Sequence, residues 1–147
     1  MRTFEAAAYL RRCGADITRV RKMFRDDIES YRAKAEAVRM AEVYRSQYAI
    51  AQCPGDIESP TVLAAQAANE LLDISGIKAS FVLTIYEGKI YMSARSIDEV
   101  NVQIIAEKLG GGGHINSAGA QFDHTNMDEA IQTLKQTIDQ MIEEGDI

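Results

Sequence analysis

The 147-residue sequence has no tryptophan, two prolines, two cysteines and two histidines. Each scarcity excludes something. Cys13 and Cys53 stand in dissimilar contexts, with neither C-x-x-C spacing nor a partnered histidine pattern, so a disulfide framework and a zinc finger are both ruled out. They are expected to be buried free thiols. No uncharged apolar run approaches the ~20 residues that a membrane span needs, and Met1 to Leu10 carries no secretory hydrophobic segment. These residues therefore read as a soluble, cytoplasmic piece. What is present is ordinary globular composition, 46% hydrophobic and 26% charged. A chain of this length buries roughly two-thirds of its unfolded surface and needs no metal or disulfide to hold a core.

Cations are scarce in one part only. Through Tyr48 there are 11 Lys or Arg against 7 Asp or Glu; from Ala49 onward there are 5 against 15, which sums to the overall net charge of -6. A field of one sign governs association, not fold. The second part therefore cannot carry a broad surface that tracks a polyanion, and any phosphate it binds must be met by a few placed donors. The basic first part reads either as a face for nucleic acid or an acidic partner, or as solvated helix surface.

Periodicity divides the chain. Thr3 to Arg12 reads as a short helix closed by Gly14. Asp16 or Thr18 caps a long amphipathic helix, with Val20, Phe24, Ile28, Tyr31, Ala35 and Val38 as its apolar stripe and Arg21, Arg25, Arg32 and Arg39 opposite. It is expected to reach about Arg45, with a break near Asp26 and Asp27. Tyr48 to Cys53 is a short strand stopped by Pro54-Gly55, and Ser59-Pro60 opens a helix ending by Gly76. Lys78 to Tyr86 and Lys89 to Arg95 form a hairpin about Glu87-Gly88. Asp98 is expected to cap the next helix, which bears Val102, Ile105, Ala106 and Leu109 on one side. A strand over Ala118 to Phe122 and a helix over Asn126 to Glu144 complete the order α-α-β-α-β-β-α-β-α. The fold class is α/β (α+β): a mixed β-sheet with helices packed on it, preceded by a helical connector.

Gly110-Gly111-Gly112-Gly113-His114 holds most of the chemistry. A helix end needs one glycine, whereas four cost about 1 kcal/mol each in backbone freedom relative to alanine. The run reads as a loop whose successive amides cradle an anion beside an imidazole, or as a flexible loop beside a satisfied histidine. It has neither the phosphate-loop pattern nor a dinucleotide fingerprint. Ser93, Arg95 and Ser96 end the preceding strand, where alternation places Ser93 and Arg95 on one face. Arg95 is the only arginine after Arg45. Its guanidinium fork suits phosphate oxygens, with a surface ion pair to Asp98 or Glu99 as the plainer alternative. Asn101 caps its helix or contacts a ligand, and His124, without such company, is a surface residue.

The run YMSARSIDEVNVQIIAEKLGGGGHINSAGAQF resembles the substrate-binding C-terminal domain associated with the Asp-His-His (DHH) family of phosphoesterases. The matching pattern falls on Ser93, Arg95, Ser96, Asn101, Val102, Gly111, Gly112, Gly113, His114, Ala118 and Gly119. Asn101 to Gln103 and Ala118 to Gln121 look most like the membrane-anchored cyclic-di-AMP phosphodiesterases. RTFEAAAYLRRCGAD, with Arg2 as its only lead-in, looks like the tail of a catalytic DHH domain. The resemblance implies residues 1–15 as that tail, 16–47 as a helical connector and 48–147 as the substrate-binding domain. It also implies a binuclear manganese centre in a catalytic domain elsewhere in the same polypeptide. Neither histidine here stands in an Asp-His-His arrangement and the carboxylates show no clustered ligand spacing, so no metal or other cofactor is expected in this stretch.

On that resemblance the chain binds without hydrolysing. Ser93, Arg95, Ser96, Asn101, Gly111, Gly112, Gly113 and His114 would grip phosphates of a cyclic dinucleotide or short oligonucleotide. Ile115 and Ser117-Ala118-Gly119 stand where many oligonucleotide-digesting relatives have Lys and Ala-Ala-Gly, which favours the cyclic substrate. An assembly role, with the basic helices and a sheet edge joining domains or a homodimer, is the reading from a different class.

Overall fold

The computed structural model describes residues 1–97 and 100–147. Three helices come first: α1 (Arg2–Arg12), α2 (Ile17–Met23) and α3 (Ile28–Arg39). Asp16 caps α2 by accepting from the Thr18 N–H at 2.9 Å, and Asp27 caps α3 by accepting from Ser30 N–H at 2.8 Å. The break expected near Asp26 and Asp27 thus has a cause: Asp27 starts a new helix. That hydrogen bond from Ser30 also holds the Asp27 carboxyl below its usual pKa.

On neither side of the break is the expected apolar stripe what packs. Val20, Phe24, Ile28 and Tyr31 are exposed, while Ala37 and Lys34 are the buried positions of α3. The frame turns at residues 24–27, and α3 docks through the face that bears Lys34, whose Nζ lies 2.9 Å from Asp26 and 3.3 Å from Glu70. No residue of α1 or α2 is buried. Cys13, expected in a core, is exposed at the end of α1; Cys53 is buried, which pushes its thiol pKa up to about 11.

The sheet follows: β1 (Glu42–Tyr44), β2 (Tyr48–Cys53), β3 (Ala79–Tyr86), β4 (Lys89–Ser96), β5 (Gly112–His114) and β6 (Ser117–Phe122), with α4 (Pro60–Leu71), α5 (Val102–Lys108) and α6 (Met127–Glu144) between and after them. The six strands lie in the order β1-β2-β3-β4-β6-β5, with β2 and β3 parallel and the other neighbours antiparallel. It is an α/β fold with a mixed sheet.

Two expectations fail here. Residues 42–44 were expected within the helical connector and instead form an edge strand, because Arg45 and Ser46 take positive φ (49° and 63°) and fold the chain back on β2. The α6 face fixes that edge: Tyr44 Oη donates to Asp139 at 2.8 Å, Arg45 Nε lies 2.7 Å from the same carboxylate, and Lys135 pairs with Glu42 at 2.8 Å. The second is the glycine run, of which Gly112–His114 is a strand. The expected cap at Asp98 lies outside the described residues; Asn101 caps α5, its Oδ1 accepting from Gln103 N–H at 3.0 Å.

Each face of the sheet has its own core. On one side Tyr48, Ile50, Phe81, Leu83, Ile90, Met92 and Ala94 pack against α5 and α6 through Val102, Ile105, Leu134, Ile138 and Met141. On the other, Ala49, Ala51 and Val82 meet α3 and α4 through Ala37, Leu63, Ala64, Ala67 and Leu71. The alanines bring α4 close enough for Ser80 Oγ to donate to the Ala68 carbonyl at 2.6 Å. This second cover packs on β2, β3 and β4. Beyond it, Ser117 and Gln121 of β6 remain exposed.

Candidate functional site

The less covered part of that second face gathers several of the expected site residues. Side chains alternate along a strand, and the registers Ser93↔Gly119↔Gly112 and Arg95↔Ser117↔His114 set two rows across β4, β6 and β5. A third row begins with Tyr91 opposite Gln121. One row therefore carries a guanidinium, a hydroxyl and an imidazole. The next carries nothing larger than a hydroxymethyl group, so its floor is backbone.

The glycines earn their places one by one. Gly110 takes φ +88° and closes α5: its N–H donates to Glu107 O at 3.1 Å, and Gly111 N–H donates to Ala106 O at 2.7 Å, the paired bonds of a Schellman end. A Cβ on Gly111 would overlap the Gly119 carbonyl oxygen and sit 2.6 Å from Ala120 Cα; one on Gly113 would sit 2.5 Å from Ala118 Cα. These two let β5 press against β6. Gly112 is different, because a Cβ there would meet nothing within 4 Å. The expected open amide loop is therefore corrected: Gly112–His114 is an edge strand, and the absent side chain that leaves room is the one at Gly112.

The remaining expected site residues separate. Arg95 is half-buried, and its Nη1 donates to the Ala94 carbonyl at 2.8 Å. It forms no ion pair with a described residue, whereas Lys108 pairs with Glu144 at 3.1 Å and Lys135 with Glu42. The alternative partners, Asp98 and Glu99, lie outside the described residues. His114 is exposed on the same face, two strand spacings or ~10 Å from Arg95 at the backbone. Ser96 faces the other way and is 7% exposed. Its hydroxyl donates to Val100 O at 2.6 Å and accepts from Asn116 Nδ2 at 3.0 Å, which ties β4 to the turn between β5 and β6. Asn101 spends its carboxamide oxygen on the α5 cap. Gly111 and Gly113 hold the strand pair together. Ser93, Arg95, Gly112 and His114 are brought to the open face. Ser117, read from the sequence only as a departure from relatives, shares it, as do Tyr91 and Gln121, which were not proposed as site residues although the same alternation in β4 and β6 contains the signal. His124 is exposed with φ 56° at the chain's approach to α6.

Among the described residues no group of three or more His, Cys, Asp or Glu is placed to hold a metal ion. A roomier groove of about 500 Å³ lies beside β2, lined by Met40, Ile50, Pro54 and Ile131 with Glu36 and Glu42. Its charged residues are carboxylates, which repel a phosphate. The chemistry points instead to the open rows on β4, β6 and β5.

The profile of the DHHA1 domain matches residues 45–143. The chain belongs to this family. The DHHA1 chain is 43% identical over 139 residues to the cyclic-di-AMP phosphodiesterase PdeA of Listeria monocytogenes, covering 94% of this chain and 21% of that protein. It is 42% identical over 147 residues to the cyclic-di-AMP phosphodiesterase GdpP of Bacillus subtilis, covering 98% of this chain and 22% of that protein. It thus spans about a fifth of the length of these curated relatives. An exopolyphosphatase-related protein from Bacteroides fragilis has the same fold, with a TM-score of 0.83 at 20% identity over 95% of this chain and 43% of that one. No described helix of the DHHA1 chain is long and apolar enough to cross a membrane.

Proposed function

We infer that this chain is the part of a DHH-type phosphodiesterase that grips the nucleotide, and that the parent enzyme acts on cyclic-di-AMP. The observation that carries the reading is Arg95: a guanidinium free of described carboxylates, in a domain with few cations, on an open face floored by the backbone of Gly119 and Gly112 and flanked by Ser117 and His114. A guanidinium presents two parallel donors to a phosphate, and a bare glycine backbone allows the close approach that a Cβ would block. The relatives' substrate supplies the nucleotide.

Cleavage belongs to a catalytic DHH domain outside these residues, which would hold the manganese pair. The role of Ser93, Arg95, Gly112 and His114 is to bind the part of the substrate that does not react and so to fix the scissile phosphate in place. Binding energy from remote contacts lowers the barrier in this way. Membrane anchoring belongs to the parent protein. A contribution to assembly is favoured by one observation: Phe4, Met23 and Phe24 are each about 80% exposed on α1 and at the end of α2, an apolar surface suited to the catalytic domain or a second copy.

Calorimetric titration with cyclic-di-AMP and with linear pApA tests the reading. Binding of cyclic-di-AMP that falls at least ten-fold in Arg95→Ala and in His114→Ala supports it. Tighter binding of pApA transfers the parent's substrate to linear dinucleotides. Binding of neither ligand leaves the assembly role alone.

A further inference from the structure

The open face continues along β4 and β6 beyond the phosphate rows. Tyr91 lies four residues along β4 from Arg95, ~13 Å away at strand rise, comparable to the span of a nucleotide from its phosphate to the far edge of its base. Its ring packs against Tyr86, with centroids 6.3 Å apart at 54°, so a neighbour steadies it. Across the register stands Gln121. Together with Thr61, Ser93, Gly110 and Gly119 they line a shallow, open hollow of about 370 Å³ that adjoins the phosphate row and has room for a purine laid on it.

We propose that Gln121, held by Asp123 and set beside the Tyr91 ring, reads the base of the bound nucleotide and selects adenine over guanine. This rests on the nucleotide reading above and adds the discriminating residue to it. Gln121 Nε2 donates to Asp123 Oδ1 at 3.0 Å. A carboxylate accepts hydrogen bonds and has none to give, so it fixes which end of the carboxamide it meets. One of the two amide N–H groups is given to Asp123, which turns the nitrogen end of the carboxamide toward that carboxylate and leaves the carbonyl oxygen Oε1 for a ligand. Adenine offers an amino donor at its 6-position, where guanine carries a carbonyl oxygen. The first completes a hydrogen bond with Oε1; the second sets an acceptor against Oε1 at that position, and the bond is lost. Stacking on Tyr91 adds affinity without choosing between purines, since every base has a π-face.

The test is a parallel titration of the 147-residue chain with pApA and pGpG, by calorimetry or by NMR where binding is weak. The wild-type chain should bind pApA about ten-fold more tightly, the scale of one matched against one unmatched hydrogen bond. Gln121→Met keeps the shape and removes the polar atoms, so the ratio should fall to near one. Asp123→Asn leaves Gln121 in place but frees its carboxamide to turn, and should lower the ratio too. Tyr91→Ala should weaken both ligands alike, by about ten-fold. Both Gln121 and Asp123 are exposed, and thermal melts confirm that each variant is folded. A wild-type chain without purine preference, or a preference that survives Gln121→Met, overturns the proposal. If both ligands bind in an Arg95-dependent way without such a preference, only the base assignment fails; if neither binds, or Arg95→Ala changes nothing, the nucleotide reading falls and takes this one with it.

Discussion

One face of the sheet is built in two ways. Over β2 and β3 it carries Ala49, Ala51, Ser80 and Val82, all buried beneath α3 and α4. Over β4, β6 and β5 the same face carries Ser93, Arg95, Gly119, Ser117, Gly112 and His114, none of them fully buried. Both halves use small residues, for opposite purposes. In the covered half they let a helix come within hydrogen-bonding distance of the sheet, as Ser80 and Ala68 show. In the open half, which α4 reaches only at β4, small residues lie beside a cation that forms no ion pair with a described residue, and they leave space for something that is not protein. Lack of bulk alone is therefore no mark of a site; the open half differs in that a cation with no ion pair to a described residue shares the row.

The largest expected effect breaks the open half outright. Gly111→Ala places a methyl group into the Gly119 carbonyl and against Ala120 Cα, backbone atoms that cannot step aside. Denaturant unfolding should show a loss of about 2–4 kcal/mol, and hydrogen exchange should show β5 peeling from β6. An unchanged unfolding midpoint would mean that β5 is not seated on β6 in solution.

Next comes the joint between the two faces. Ser96→Ala removes the hydroxyl that links Val100 and Asn116, leaving the buried Val100 carbonyl without its side-chain donor at a cost of about 1–2 kcal/mol. Because Ser96 points away from the open rows, nucleotide affinity should change less than two-fold once the protein is saturably folded. A ten-fold loss of affinity with intact stability would put Ser96 back among the ligand contacts.

These two residues also show how far the sequence could be read. Alternation in Lys89 to Ser96 separates Arg95 from Ser96, because a half-buried strand shows its two faces directly. Gly112–His114 offers no such alternation: glycine has no side chain to display a period, so a strand passes for a loop. Glu42–Tyr44 hides for a different reason, since three residues are too few to overrule the helical pattern before them. The stripe from Val20 to Val38 was periodic but unpacked at Val20, Phe24, Ile28 and Tyr31. A period says which residues share a face, and only tertiary contacts say what covers it. That limit kept Tyr91 and Gln121 out of sight, because the sequence does not tell which half of the sheet α4 leaves bare.

The cover itself can be loosened with a pH signature. Lys34 joins α3 to Glu70 of α4 and to Asp26. Burial alone pulls its ammonium pKa down, but hydrogen bonds to Asp26 and Glu70 outweigh that, leaving it above 10.5. A folded pKa raised above the unfolded value gives stability that is complete below about pH 10.5 and is lost as pH rises through the folded value. Lys34→Met should cost about 1 kcal/mol at neutral pH, since both carboxylates remain partly solvated. The difference between wild type and variant should then shrink above pH 10.5. A difference that stays flat with pH would show that Lys34 acts through packing and not through its charge.

The smallest effect on stability is the most telling for the site. Gly112→Ala adds the same methyl group one residue from Gly111, in a strand conformation that alanine accepts, into space with no protein atom within 4 Å. Stability should stay within about 0.5 kcal/mol of wild type, as for a surface change away from any strained position. If the floor between Ser93 and Gly112 receives a phosphate, that methyl group occupies the ligand's place, and affinity should drop ten-fold or more while the fold is untouched. Gly111→Ala and Gly112→Ala then form a pair that differs by one position: the first measures what β5 needs from β6, and the second measures what the open half keeps clear. A Gly112→Ala chain that binds nucleotide as well as wild type would move the phosphate off this row and toward the Arg95, Ser117 and His114 side chains alone.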